Sequence, residues 1–333
     1  MKRVLIIILT VILVFGLVGY ASFAREFKIG LLVPGSIKDG GHCQSAYEGL
    51  LEIEKEYGAK ISFAETKTPA EMKENFNYYG EEGYDLVIGH GAEFGDAALE
   101  AALEYPNTNF VTFAPLTAKN LASIEIKAGD PGYLCGIIAA MVSKTGKAGL
   151  IGGMELSNVA NDLHAFELGA KSVDPDFEVM YTYIGSWEDS GLAYEAALAQ
   201  IASGADMLYA IADAAGLGII KAAIDKDVWC FGDTSDKSAF APDNMIASAV
   251  FNGGKAYVEL AKRLIVEGEF KGEPQEFGLK EGVTYLVWNE KLKKQLPQEV
   301  IEAVNKAEEG IKSGEIRVPG LLERLKEKES VGN

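Results

Sequence analysis

Aromatic and polar side chains follow the ends of several apolar runs along this chain. His42 and His90 do so in the first half, and Trp187 and Asp213 do so in the second half. Imidazole and indole rings can stack on a flat molecule, and a carboxylate accepts hydrogen bonds from N–H groups. These residue types therefore indicate a binding site for a small flat ligand or a carbohydrate.

The same side chains also have structural interpretations. Trp187 could cover the surface of its lobe, and Asp213 could cap a helix that begins near Gly216. Asp233 and Asp236 present the same choice, and Asp236 fits a structural turn residue better. The residue pattern alone leaves both interpretations open.

Some of these residues could in principle ligate a metal ion. His42 and Cys43 lie near one predicted strand end, and His90 and Glu93 lie near another. The close histidine spacing that marks a metal site is missing, and the 3 cysteines of the chain form no C-x-x-C pair. We therefore expect no metal and no cofactor.

Signatures of enzymes are also missing from the sequence. It contains no G-x-S-x-G, H-E-x-x-H or P-loop motif, and no G-x-G-x-x-G follows the first predicted strand. A hydrolase would need a carboxylate cluster for calcium or general-base work, and the sequence offers no convincing one. We predict a protein that is not an enzyme.

Short apolar runs alternate with amphipathic stretches from residue 26 onward. Strands are predicted at 27–34, 60–65, 85–89, 109–114, 121–127, 148–152, 178–184, 207–212, 228–232, 245–251 and 285–288, with helices at 44–57, 70–82, 96–105, 133–144, 158–172, 192–203, 217–226 and 255–267. This alternation predicts an α/β fold with parallel sheets covered on both faces.

The pattern occurs twice, over residues 27–115 and 148–236, and an ordered segment joins the halves. This arrangement predicts two lobes joined by a hinge of several crossings. Ligands of open α/β sheets bind outside the carboxyl ends of the strands, so the two lobes would share one cleft. Lobe 1 is predicted to comprise residues 25–126 with 250–280, and lobe 2 residues 127–249 with 281–330.

The N-terminus has the features of an export signal. Lys2 and Arg3 precede an apolar run over 4–18, and Ser22 and Ala24 provide small residues for cleavage. We predict a signal peptide at 1–24 and a periplasmic or other extracytoplasmic location. The alternative is an uncleaved segment that retains the protein at the membrane.

The overall charge limits the class of partner. The chain of 333 residues has 31 Lys and Arg against 49 Asp and Glu, a formal net charge of -18. Nucleic-acid binders need clustered basic residues, so we expect no nucleic-acid partner. A hydrophobic content of 48% with 24% charged residues is typical of a globular protein.

Several motifs, in order and spacing, resemble the basic membrane protein family of solute-binding proteins of ABC importers. The matching motifs are Asp39-Gly40-Gly41-His42, Ala46-Tyr47-Glu48-Gly49, Gly83-Tyr84-Asp85-Leu86-Val87-Ile88-Gly89, Tyr133-Leu134-Cys135-Gly136, Lys144-Thr145-Gly146-Lys147, Gly152-Gly153, Ala165-Phe166-Glu167-Leu168-Gly169-Ala170, Gly204-Ala205-Asp206 and the turn at 232–236. The resemblance covers about 27–290. It implies a two-lobed periplasmic-binding-protein type I fold, a purine base or nucleoside as ligand, and an ABC permease with its ATPase as partner.

The resemblance also distinguishes two branches of that family. The nucleoside-binding branch has Phe-Asn where this chain has His42 and Cys43, an Asp near Ala114 and a Lys near Phe251. The absence of these residues from this chain favours a nucleobase over a nucleoside as the ligand. The nucleobase branch has a Trp at position 42, where this chain has His, and a Trp at position 253, where it has Gly.

We therefore expect a monomeric protein that closes on a purine nucleobase. The expected ligand-binding residues are Asp39, His42, His90, Gly91, Phe94, Trp187, Asp213, Asp236 and Asn252. Gly91 would allow close approach of the backbone. A nucleoside-binding protein of the same family, or a sensory module that presents its ligand to a receptor, is the alternative.

Overall fold

The computed structural model describes residues 26–38, 42–320 and 323 of the chain. The predicted signal peptide and Asp39 lie outside the described residues. Within that described part, no helix is both long and apolar enough to cross a membrane.

The first sheet has six strands in the order β11-β5-β4-β3-β1-β2. Its strands are β1 (Lys28–Val33), β2 (Lys60–Glu65), β3 (Leu86–Gly89), β4 (Asn109–Thr112), β5 (Leu121–Ile126) and β11 (Gln275–Phe277). The helices α1 (His42–Tyr57), α2 (Pro69–Glu81), α3 (Gly95–Glu104) and α8 (Gly253–Lys262) accompany it. This sheet with its helices is lobe 1.

The second sheet repeats this order as β12-β10-β9-β8-β6-β7. Its strands are β6 (Lys147–Gly152), β7 (Glu178–Tyr183), β8 (Met207–Ile211), β9 (Trp229–Thr234), β10 (Met245–Phe251) and β12 (Thr284–Trp288). Its helices are α4 (Gly129–Val142), α5 (Ser157–Val173), α6 (Ser190–Ala202), α7 (Gly216–Lys226), α9 (Glu290–Lys293) and α10 (Gln298–Ser313). This sheet with its helices is lobe 2, and among its described strands only β12 pairs antiparallel, with β10.

The apolar runs form central strands because both faces of each sheet are covered. In lobe 1, Leu31 belongs to the core on one face and Leu32 to the core on the other. Leu150 and Ile151 divide in the same way in lobe 2. Consecutive side chains of a strand point to opposite faces, so a continuous apolar run fills two layers. The predicted α/β class is confirmed.

Three described segments connect the lobes: residues 127–128, Asn252, and residues 278–283. Hydrogen bonds join these segments. The Lys127 amide donates to the Phe277 carbonyl at 2.8 Å, and the Asn252 amide donates to the Val283 carbonyl at 2.8 Å. The connections therefore form one hydrogen-bonded hinge. The second crossing falls at Asn252, because β10 pairs in lobe 2 as far as Phe251.

Helices α1 and α8 of lobe 1 approach each other unusually closely. A Cβ placed on Gly49 would lie 2.4 Å from the Gly254 carbonyl oxygen, and one on Gly254 would lie 2.2 Å from the Ser45 carbonyl oxygen. Only glycine allows this contact. It holds the start of α8, and the hinge crossing before it, against the helix that begins at His42.

Candidate ligand-binding site

His90 follows β3 and is enclosed at the strand end of lobe 1, with 2% of its surface exposed. Its Nε2 lies 3.0 Å from the His42 carbonyl oxygen, and its Nδ1 contacts the Tyr257 hydroxyl. A carbonyl can only accept, so Nε2–H donates to it, and Nδ1 shares the second hydrogen bond with the Tyr257 hydroxyl. His90 therefore joins β3 to α1 and α8.

His42 begins α1 and presents its ring beside His90. The two ring centroids are 3.8 Å apart with an interplanar angle of 31°. His42 is exposed, whereas His90 is buried. The buried imidazole therefore supports an exposed one, and the exposed ring provides a surface on which a flat molecule could stack.

The next residues of lobe 1 differ in their access to a ligand. Gly91 is buried, and a Cβ there would lie 2.2 Å from a carboxylate oxygen of Glu93. Phe94 is fully buried in the core, edge-on to Phe76 with centroids 6.2 Å apart. In this arrangement Phe94 has a packing role and its ring does not reach solvent.

Trp187 lies in the loop after β7 and is half-buried against the core of lobe 2. A Cβ on Gly153 would lie 2.3 Å from the indole Cε3, so the ring packs directly on that glycine. The Trp187 carbonyl accepts the Ala215 amide at 2.9 Å. The indole thus packs on the loop that follows β6, and the Trp187 backbone is tied to the loop that follows β8.

Asp213 follows β8 and is exposed in a left-handed conformation, with φ at 44°. Thr234 at the end of the neighbouring strand β9 is also left-handed, with φ at 70°. Such conformations cost about 1–3 kcal/mol each and cluster at binding and catalytic sites. Two of the three described non-glycine residues with positive φ therefore lie at this strand-end edge.

Asp233 adds a second carboxyl beside Asp213. Burial raises the pKa of Asp233 to about 6, and the negative charge of Asp213 acts in the same direction. Its carboxylate accepts the Thr234 hydroxyl at 2.9 Å and lies 3.5 Å from the Tyr209 hydroxyl. Asp233 keeps partial solvent exposure, as expected for a carboxyl on the wall of a crevice.

The last two predicted site residues have local structural roles. Asp236 is exposed, and its carboxylate accepts the Ser238 amide at 2.9 Å, which is the turn role that the sequence left open. The Asn252 side chain accepts the Lys255 amide at 3.2 Å and so caps α8. Asn252 also accepts the Ser45 hydroxyl at 3.4 Å, within the hinge.

The site residues predicted from the sequence do not include Asp162, Asn161 or Tyr209, three polar residues that accompany Asp233. The pKa of Asp162 is raised well above its ordinary value, first by burial and then by the charge of Asp233. Asp162 lies one turn before Phe166, on the apolar stripe of α5. A carboxyl in such a stripe is unfavourable without a specific partner, and that misplaced charge was the available signal.

Within the described residues, no group of three or more His, Cys, Asp and Glu side chains could hold a metal ion. Cys43, Cys135 and Cys230 are buried and form no disulfide with one another. What the strand ends offer is flat rings and hydrogen-bonding groups, which suits reversible recognition of a small molecule.

The two lobes, their hinge and this strand-end site are those of a solute-binding protein. The profile of the family described as "Bmp: ABC transporter substrate-binding protein PnrA-like" matches residues 27–321, and the chain belongs to this family. Its architecture is that of type I periplasmic binding proteins, as the predicted fold class required. The family consists of extracytoplasmic substrate-binding proteins, not of enzymes, and these serve a permease with its ATPase.

Individual relatives span most of the chain. A purine-binding protein of Brucella abortus (strain 2308) is 29% identical over 306 residues, covering 91% of this chain and 85% of its own. A transcriptional activator protein, med, of Bacillus subtilis (strain 168) is 27% identical, covering 84% and 88%. The structure of an ABC transporter solute-binding protein from Conexibacter woesei DSM 14684 has a TM-score of 0.67 at 25% identity, covering 89% and 99%.

Proposed function

We propose that this protein captures a purine nucleobase between its lobes and delivers it to an ABC permease. One observation carries the proposal: an aromatic ring lies near the strand ends of each lobe, His42 beside His90 in lobe 1 and Trp187 after β7 in lobe 2, where Asp213 is exposed. The Brucella relative named as purine-binding supports this ligand class.

In this proposal the ligand is held by both lobes. His42 and Trp187 stack on the purine, and Asp213 accepts a hydrogen bond from a ring N–H or an exocyclic amine. A ligand favours the closed form only through its higher affinity for that form, so contacts to both lobes are what couple binding to closure.

A free base is favoured over a nucleoside by the surroundings of the strand ends. Ala114 is 5% exposed, and Phe251 is half-buried at the end of β10. Neither side chain can hydrogen-bond a ribose hydroxyl. A base without ribose needs no partner at these positions.

A thermal-shift screen tests the proposal on protein that has been unfolded and refolded to remove carried ligand. The panel contains purine bases, nucleosides, pyrimidines and sugars. A ligand present at 100 times its Kd adds about 2.7 kcal/mol to stability, which raises the midpoint by several degrees. A shift with bases alone supports the proposal, a shift with nucleosides alone replaces the base by a nucleoside, and a shift only with sugars overturns the purine class.

A sensory role is the second candidate, favoured by the relative named as a transcriptional activator. Deletion of the gene separates the two roles. Loss of purine uptake supports import, whereas unchanged uptake with altered purine-dependent gene expression supports sensing. We also propose that the protein acts as a monomer, which light scattering after size-exclusion chromatography checks.

A further inference from the structure

Four carboxyl groups connect the strand-end site with the hinge. Asp213 interacts electrostatically with Asp233, Asp233 with Asp162, and Asp162 with Asp130 at the start of α4. Lys237 acts on Asp233 and Lys127 acts on Asp130, and each offsets part of the negative charge. This side of the cleft therefore attracts positive charge and N–H donors.

Asn161 provides an independent observation at the middle of this series. It is 7% exposed, and its side chain hydrogen-bonds the Asp162 carboxyl. The amide nitrogen lies on the side of Asp162, since a Cβ on Gly129 would be 3.7 Å from that nitrogen and 3.6 Å from Asp162 Oδ1. The amide oxygen is buried and has no hydrogen-bond partner among the described residues. An acceptor in that position costs about 1–3 kcal/mol, so it requires an explanation.

The opposite wall of this region is backbone. A Cβ on Gly129 would lie 3.6 Å from Asp162 Oδ1 and 3.7 Å from the Asn161 amide nitrogen, and one on Gly132 would lie 3.4 Å from the Tyr209 hydroxyl. The first turn of α4 thus faces the polar groups without side chains of its own at these positions. Asp162 and Asp233 both keep partial solvent exposure, so solvent reaches these two residues.

We propose that the solute site extends toward the hinge into a subsite formed by Asn161, Asp162 and Asp233 that selects a solute with N–H donors. This inference rests on the proposed function and narrows it to amino-bearing purines. The amide oxygen and the carboxyl oxygens accept hydrogen bonds from an exocyclic amino group, whereas a carbonyl or C–H at the same place leaves the amide oxygen unpaired.

Two pairs of probes that differ only in one amino group test the subsite. These are adenine with purine and guanine with hypoxanthine, with spermidine as a cationic probe that lacks a purine ring. Isothermal titration calorimetry compares wild type, Asp162→Asn and Asn161→Leu. Asp176→Asn is the matched control, because Asp176 is exposed in the loop after α5 and the change removes the same charge.

We expect the amino-bearing member of at least one pair to bind wild type at least tenfold more tightly, as for hydrogen bonds to charged groups. The ratio falls below about threefold in Asp162→Asn and in Asn161→Leu, and it is retained in Asp176→Asn. The two subsite variants are near-isosteric, and their unliganded thermal midpoints check that they fold.

The outcomes separate this inference from the proposed function. Equal binding within both pairs, or an unchanged ratio in Asp162→Asn, overturns the subsite and leaves the purine proposal standing. Binding of spermidine but of no purine, with loss in Asp162→Asn, overturns the purine proposal and supports the subsite. Binding of none of the five probes overturns both.

Discussion

The loops after β3 and β8 occupy equivalent places in the two sheets but place different chemistry there. Each strand lies fourth in its sheet and leads through a three-residue 3₁₀ turn into a helix that begins with glycine, Gly95 or Gly216. After β3 stands His90, which is enclosed and hydrogen-bonded. After β8 stands Asp213, which is exposed and left-handed.

We infer from this difference that His90 supports the site, whereas Asp213 contacts the solute. The ring nitrogens of His90 contact groups of the protein itself, and its ring lies against that of His42. Asp213 is held in a conformation that only its surroundings enforce, and its carboxyl faces solvent. We therefore expect loops with the same order of elements to provide a rigid platform in lobe 1 and an exposed hydrogen-bond acceptor in lobe 2. Substitutions should affect stability in the first loop and affinity in the second.

The largest effect is expected for His90→Ala. Removing the imidazole leaves the buried Tyr257 hydroxyl without this partner and opens a void, which together lower the free energy of unfolding by about 3 kcal/mol. Urea unfolding followed by circular dichroism measures the change. His164→Ala is the control, since His164 is partly exposed and its 3.3 Å contact with Glu167 contributes less than about 1 kcal/mol. Equal losses in both variants would contradict the supporting role of His90.

A second effect on stability is expected from Asp130, one of the four carboxyl groups that extend from Asp213 to the hinge. Burial raises the pKa of Asp130 to about 6, and its carboxylate accepts the Leu279 amide of the third crossing at 3.3 Å. A carboxyl whose pKa is higher in the folded protein binds more protons there than in the unfolded chain. The stability that protonation of Asp130 contributes is therefore fully present below the unfolded pKa, and it is lost as the pH rises from about 4 to about 6.

Asp130→Asn should remove this loss, because the amide keeps an acceptor for Leu279 and carries no charge. The variant should match wild type at pH 4 and exceed its free energy of unfolding by about 3 kcal/mol at pH 7, from a shift of roughly two pKa units. Urea unfolding across this range measures the difference. A constant difference between the two proteins at every pH would show that Asp130 ionisation is not its source.

Much of the fold could be predicted from the sequence, because continuous apolar runs and amphipathic stretches report burial directly. The predicted strand at 60–65 matches β2, and the one at 245–251 matches β10. Nothing was predicted for β11 or for α10, although both are present. A three-residue strand has too few positions to show a period. Its pairing with β5 depends on the return of the chain across the hinge.

The candidate site was less accessible to sequence reasoning. Strand ends gave the positions of His42, Trp187 and Asp213, since parallel strands end on one edge. They could not show that Phe94 turns into the core, because an aromatic after a strand fits either place. The roles of Asn161 and Asp162 depend on the packing of α5 against α4, which involves residues about thirty positions apart.

The aromatic rings offer a comparison of affinity between the lobes. Trp187→Ala should weaken binding of a purine base about tenfold, equivalent to about 1.4 kcal/mol, because it removes the stacking surface of lobe 2. His42→Ala should have a similar effect from lobe 1, and Trp187→Phe should retain most of the affinity. Calorimetric titration with the base that gives the largest thermal shift measures all three. A loss in Trp187→Ala alone would place the base on lobe 2 without the imidazole.

The smallest change in stability is expected at Asp213. Asp213→Gly relieves the left-handed backbone but adds freedom to the unfolded chain, so the free energy of unfolding should change by less than about 1 kcal/mol. Affinity for the same base should fall about fivefold to tenfold, because an exposed acceptor is lost. Asp213→Asn, which tolerates the same backbone, separates the charge from the conformation. If Asp213→Gly destabilised the protein as strongly as His90→Ala without weakening binding, the two loops would share a structural role and the contrast between them would fail.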